Sequence, residues 1–249
     1  MTTSNSSHLR LAWLKPGILL IAIALAGCRA LGSLPRPPSN PLLPAGVIYQ
    51  DDFEQENTNW DESDDGIVAY GVEEGRLVVT VNDFNASAWS SLSFGFNDFV
   101  LEIEALKLGG PDDNGFGVLF RYQDPANYYR FDISSDGFYS LSKTVEGTYE
   151  VVSAWNPDPA ILTGELTNRL RVVAQGNGFS FAVNDTPLSL CVGPGAIWDP
   201  ASPGTCLGGQ VVETWIDDTF PGGQIALGVT AFQQAGPSIG FDNLVISEP

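Results

Sequence analysis

Gly115-Phe116-Gly117-Val118-Leu119-Phe120-Arg121-Tyr122 and, after a short polar break, Asn127-Tyr128-Tyr129-Arg130-Phe131-Asp132-Ile133-Ser134 are the segments on which the fold turns. Both are too short for a typical helix, and both are rich in β-branched and aromatic residues. In the second, side-chain alternation sends Tyr129, Phe131 and Ile133 to one side and Arg130 and Asp132 to the other, which is the signature of a strand with one buried face. Working outward, similar runs bounded by Gly, Pro, Asn and Asp recur from Val47 to Ile246, and no helical period survives for more than a turn. Predicted strands include Arg76–Val81, Ala88–Ser93, Phe99–Leu106, Arg169–Ala174, Phe179–Val183 and Gln224–Phe232. Glu73-Glu74-Gly75 and Asn184-Asp185 read as hairpin turns, because Gly and Asn tolerate positive φ. About fifteen strands with no helix to carry a crossover imply an all-β, antiparallel two-sheet sandwich over residues 47–249.

The chain ahead of this domain has a different character. Residues 1–27 carry no acid, a short basic region with Arg10 and Lys15, and a nine-residue apolar run, Ile18–Ala26, ending in Leu25-Ala26-Gly27-Cys28. A bilayer core of roughly 30 Å needs about 20 helical residues, so the run has the layout of a secretory signal instead of a span. Leu-Ala-Gly-Cys resembles the bacterial lipobox, which implies a signal peptide cut before Cys28 and a lipid-modified Cys28 at the new N-terminus. Residues 28–46 contain Pro35, Pro37, Pro38, Pro41 and Pro44, a composition that favours an extended spacer. The expectation is a membrane-anchored, extracytoplasmic lipoprotein of the bacterial envelope. Arg29 after the cysteine, in place of an inner-membrane-retaining Asp, favours the outer membrane where the cell has one.

Charge narrows the function. The 249 residues hold 11 Lys+Arg against 30 Asp+Glu, a net charge of −19. Removing the leader takes Arg10 and Lys15 with it, leaving nine cations and a charge of −21. Such a surface excludes a phosphate-backbone partner, which needs a basic footprint. The only histidine, His8, also lies in the leader, so Ser-His-Asp and Cys-His mechanisms and His-ligated zinc are excluded from the exported part. With Cys28 acylated, Cys191 and Cys206 remain, and an oxidising compartment predicts a disulfide between them.

Further segments complete a resemblance. Asp51-Asp52-Phe53, Trp60 and Gly75-Arg76-Leu77 precede the two opening strands. Asn168-Arg169-Leu170-Arg171-Val172-Val173-Ala174, Phe181-Ala182-Val183-Asn184, Ile225-Ala226-Leu227-Gly228 and Phe241-Asp242-Asn243-Leu244-Val245 follow them. Together they resemble the concanavalin A-like lectin/glucanase jelly rolls, of the laminin-G-like and keto-disaccharide-hydrolase-like sort. The stretch from Cys191 to Cys206 departs from that pattern as an insertion. The resemblance implies the fold and leaves lectin, glycosidase and spacer roles open.

The laminarinase-like members carry Glu-x-Asp-x-x-Glu on one strand. The nearest match here, Glu102-Ile103-Glu104-Ala105-Leu106-Lys107, ends in lysine, so the signature is broken and non-catalytic glycan binding is the favoured function. A carboxylate-dependent glycoside hydrolase or lyase and a structural or protein-interaction domain are the alternatives. The glycan contacts expected are Arg121, Tyr128, Arg130 and Asp132, with Trp155 as a stacking platform. A sheet face that also holds Glu102 and Glu104 would form a ladder of opposite charges. Trp60 and Trp89 are expected in the core. Eight of the fifteen residues from Asp51 to Asp65 are acidic. The resemblance makes calcium the one cofactor to expect, with Asp51, Asp52 and Asp242 as ligands tying the first strand to the last.

Overall fold

The computed structural model describes residues 35–37, 43–55 and 59–249. The leader and Cys28 therefore lie outside the described residues, as does most of the Pro-rich segment. The described chain has strands and turns and no helix.

The larger sheet has ten strands. They are β1 (Val47–Asp51), β2 (Ser63–Asp64), β3 (Val68–Glu73), β4 (Arg76–Val81), β6 (Phe99–Gly109), β11 (Asn168–Gln175), β12 (Gly178–Val183), β13 (Thr186–Pro187), β18 (Trp215–Ile216) and β20 (Ser238–Ser247). Their order is β13-β12-β11-β6-β20-β4-β3-β2, with β1 also on β20 and β18 also on β12. The six-stranded sheet runs β10 (Thr148–Pro157), β9 (Phe138–Val145), β8 (Asn127–Ile133), β7 (Asn114–Asp124), β19 (Gly223–Ala231), β5 (Ala86–Phe96). All pairings are antiparallel. Two small ribbons, β14 (Leu190–Val192) with β17 (Gln210–Val212) and β15 (Ile197–Trp198) with β16 (Cys206–Leu207), form the insertion. Its Cys191–Cys206 disulfide is formed, across 15 positions of chain.

The inner faces follow from alternation. Leu101, Ile103, Leu170, Val172, Phe179, Phe181, Leu77, Val79 and Phe241 of the larger sheet meet Phe116, Val118, Phe120, Tyr129, Phe131, Leu141, Leu227 and Val229 of the smaller in one continuous core. Burial of each such side chain contributes about 1.5–3 kcal/mol, so the alternation sets the sandwich. The predicted turns are present: Glu74 and Gly75 between β3 and β4, and Asn184 and Asp185 between β12 and β13, all have positive φ.

One expected juxtaposition does not occur. Glu102 and Glu104 lie on β6 in the larger sheet, whereas Arg130 and Asp132 lie on β8 in the smaller. Across the register Glu102 faces Arg171 of β11 and Glu104 faces Arg169, but the Arg169 guanidinium binds Asp185 and Glu104 accepts from Asn243 Nδ2. Arg171 Nε lies 3.6 Å from Glu102 with both side chains well exposed, an arrangement that contributes under about 1 kcal/mol.

Candidate functional site

The six-stranded sheet turns its other face outward, and the strand register assembles that face row by row. Gly117 of β7 sits between Gly228 of β19 and Asp132 of β8, with Trp89 and Ser140 beyond them. In the next row Leu119 lies between Ala226 and Arg130, flanked by Ser91 and Ser142. Tyr128, Thr144 and Tyr149 form a third row across β8, β9 and β10. Small residues make a low floor. At Gly228 a Cβ would come within 2.9 Å of Leu119 and 3.1 Å of Trp89, and at Gly115 within 3.1 Å of Phe232 and 3.5 Å of Trp155. Glycine lets these rings lie close against the sheet.

Aromatic side chains stand at both ends. Trp89, Tyr122 and Tyr128 cluster with ring centroids 5.9–6.2 Å apart, packed on Leu119 and Ala226 outside the main core. Trp155 and Phe232 meet edge to face at 5.8 Å over Gly115. Tyr149 is 62% exposed on the edge strand. Burial of its hydroxyl end is the main cause that raises its pKa, with Ser142 opposing and Asp132 adding to it. The register sets Tyr149 beside Thr144, in the row of Tyr128.

That centre is the Arg130–Asp132 pair. Both side chains are more than nine-tenths buried. Arg130 Nε donates to Asp132, 2.9 Å from Oδ1 and 2.7 Å from Oδ2. Burial pushes the Asp132 carboxyl above the usual range, against the pull of the adjacent guanidinium. Arg130 Nη2 is buried and has no hydrogen-bond partner. A charged donor left in that state carries a desolvation cost, so the atom is set to receive an acceptor. A carboxylate beside an unpartnered N–H, between ring walls and over hydroxyls from Ser140 and Ser142, suits a ligand with hydroxyl groups on its edge and an apolar face.

Arg121 is not brought to this face. Pairing jumps from Phe120–Tyr129 to Asp124–Asn127, and Arg121 has φ +49°. This is a β-bulge, which breaks alternation. Leu119 and Tyr122 both point outward, and the Arg121 guanidinium turns inward, 5.0 Å from the Phe179 ring centroid. There Nη1 donates to Phe220 O at 2.7 Å, and Nη2 donates to Asn97 O at 3.0 Å and Gly176 O at 2.7 Å. Burial lowers its pKa, with Asp98 opposing. Arg121 is a tie between loops.

Comparison with known proteins supplies the architecture's context. No protein-family profile and no curated protein sequence matches the chain. Solved structures do match. A carbohydrate-binding module from Bacillus subtilis superposes with a TM-score of 0.53 at 16% identity, over 77% of this chain and 96% of its own. A galectin-like protein of unknown function from the same species gives 0.55 at 11%, over 82% and 96%. An endo-β-galactosidase from Clostridium perfringens gives 0.52 at 11%, over 85% and 65%. The fold is concanavalin A-like. Within that concanavalin A-like sandwich, Tyr128, Arg130, Asp132 and Trp155 of the expected contacts share one face. The sequence reading missed Tyr149 there and placed Trp89 in the core. Trp89 instead lies half-buried on the outer face, because Ala88 and Leu92 of β5 are the ones turned to the core.

Asp51, Asp52 and Asp242, the expected calcium ligands, each accept a hydrogen bond within the chain. Asp51 Oδ2 accepts from Tyr49 Oη at 2.8 Å and Trp60 Nε1 at 3.0 Å, and Oδ1 from the Phe53 amide at 3.0 Å. Asp52 caps the Glu54 amide and Asp242 the Asn243 amide. Among the described residues no group of three or more His, Cys, Asp or Glu side chains is gathered as a metal would require. Asp51 instead fastens Trp60, which is buried as expected.

Proposed function

We propose that this protein binds glycan without catalysis, on the outer face of its six-stranded sheet, as an extracytoplasmic lipoprotein held to the bacterial envelope through Cys28. The observation that carries the binding role is the buried Arg130–Asp132 pair, whose Nη2 lacks an acceptor between two aromatic walls. The names of the structural neighbours, a carbohydrate-binding module and an endo-β-galactosidase, support the same ligand class. The non-catalytic role is supported by how the carboxylates are held. Glycoside hydrolysis uses two carboxyl groups about 5–10 Å apart; on this face Asp132 is held by Arg130, and the carboxylate at its border, Asp61, is held by the Ser91 hydroxyl.

The test is a glycan array followed by affinity electrophoresis on the wild-type domain and the variants Arg130→Ala and Trp155→Ala. The expected result is retardation by at least one polysaccharide, lost in Arg130→Ala and weakened in Trp155→Ala, with no reducing ends released. An array without a hit, or retention unaffected by Arg130→Ala, removes the proposal. Mass spectrometry of the mature N-terminus tests the anchor: a diacylglyceryl-modified Cys28 is expected, and an unmodified Cys28 or a cut elsewhere refutes it.

A further inference from the structure

The geometry points to an uncharged polyol as the ligand class of this face: a neutral saccharide presenting adjacent hydroxyl groups, and not a uronate, sulfated or otherwise anionic glycan. This rests on the proposed glycan role and specifies its chemistry. A guanidinium commonly grips a carboxylate through two parallel N–H bonds. Here the pair meets through Nε alone, which contacts both Asp132 oxygens. Nη2 is left buried with no acceptor, and lone pairs remain on the carboxylate beside it. A donor without an acceptor next to an acceptor with unused capacity is what two neighbouring hydroxyls satisfy, because each hydroxyl both accepts and donates. One sugar oxygen accepts from Nη2 while the next donates to Asp132.

An anion has no such place. Arg130 is already neutralised by Asp132 at 2.7 Å, Arg36 is exposed beside the Gly95 end of β5, and the other described cations are engaged elsewhere. Arg121 is turned inward. Lys143 pairs with Asp217 at 2.9 Å. Lys107, Arg76, Arg169 and Arg171 belong to strands of the other sheet. A carboxylate or sulfate entering would meet the Asp132 carboxylate in a buried setting, on a chain of net charge −19, and both like-charge repulsion and desolvation oppose it. The Ser140 and Ser142 hydroxyls and the Tyr128 and Trp155 rings are uncharged, and the further charge in the row of Arg130, the Asp61 carboxylate held by Ser91, is negative.

The experiment measures wild-type binding by affinity electrophoresis to neutral polymers (a β-glucan, a xylan, a galactan and a mannan) and to polyuronates (a galacturonan and a mannuronan). Titrations are repeated at low and high sodium chloride. Binding to at least one neutral polymer is expected, with less than about a twofold change in affinity between roughly 0.02 and 0.5 M salt, and no retention by the polyuronates. Arg130→Lys and Asp132→Asn should each weaken binding about tenfold or more, since each removes one half of the donor–acceptor arrangement. The wild-type comparison decides the matter even where a variant fails to fold. Preferential binding of a polyuronate, with affinity falling steeply in salt, overturns this inference and leaves glycan binding standing. Retention by neither class overturns the glycan role and this inference with it.

Discussion

Replacing Arg121 by methionine, which keeps an unbranched side chain and deletes the guanidinium, tests the reassignment of this residue from ligand contact to loop tie. Three N–H···O=C bonds disappear, to Phe220 at 2.7 Å, Asn97 at 3.0 Å and Gly176 at 2.7 Å. Hydrogen bonds from a charged donor contribute about 1.5–3 kcal/mol each. The Phe220 bond is fully buried and counts whole, whereas the other two are partly exposed and water replaces much of each. The Asp98 carboxylate, 3.5 Å away and half-exposed, adds little. The sum is roughly 3–5 kcal/mol. At about 2–4 °C per kcal/mol for a domain of this size, the melting temperature should fall by roughly 10 °C. The assay is thermal unfolding followed by tryptophan fluorescence, paired with affinity electrophoresis at a temperature where the variant is folded. Binding should persist. A variant that melts within about 2 °C of wild type, or one that folds normally and has lost all glycan binding, would refute the reasoning.

Further outcomes follow from other groups. Asp217 is held below the usual carboxylate range: burial, the largest cause, raises it, and hydrogen bonds from Thr219, Tyr129 and Lys143 together outweigh burial. Because its folded pKa is depressed, its contribution is full above the unfolded value near 4 and is lost as pH falls through the folded value. Asp217→Asn should therefore cost about 2–4 kcal/mol at pH 7 in urea titrations and progressively less in acid; a constant difference across pH would contradict this. Asp132 shifts the other way, through burial, so glycan affinity should decline on acidification at a pH above the ordinary Asp range near 4, and Asp132→Asn should flatten that profile. Reduction of Cys191–Cys206, or the double serine variant, should lower stability by about 3 kcal/mol or less, judged from its 15-residue separation. A larger loss would mean that the insertion anchors more of the core than Leu188 and Leu190.

Alternation was enough to read the sandwich from the sequence, because each strand interior exchanges polar and apolar residues with period two and the turns carry Gly, Asn and Asp where positive φ is needed. It also placed Arg130 and Asp132 together, two residues apart on one strand. What it could not give was partnership between strands. Glu102 and Glu104 alternate as cleanly as Arg130 and Asp132, and only the sheet order separates them. Arg121 was misread because a bulge is a local insertion that leaves composition unchanged; a polar residue inside Phe120-Arg121-Tyr122, three bulky residues in succession, was the one available sign. Tyr149 was passed over although an even spacing of six separates it from Trp155 on the strand Thr148–Pro157, the spacing that puts both on one face. In the acidic segment Asp51 and Asp52 accept from nearby backbone amides, and Asp51 from the Trp60 indole, bonds that composition does not reveal.

The cystine insertion has a consequence for how the smaller sheet ends. β10 is its terminal strand, and the amide of Cys191 donates to Ser153 Oγ at 3.1 Å, so the insertion is fastened beside the second half of that edge. The first half, with exposed Tyr149 and Val151, lies ahead of a register shift between Val151 and Ser153. An open flat edge is a template for another chain; this one is half-occupied and half-irregular. The staple thus acts as a stop on sheet growth. A chain synthesised where thiols stay reduced would carry that stop unsecured, and should show its defect first as concentration-dependent self-association through β10, before any loss of the sandwich itself.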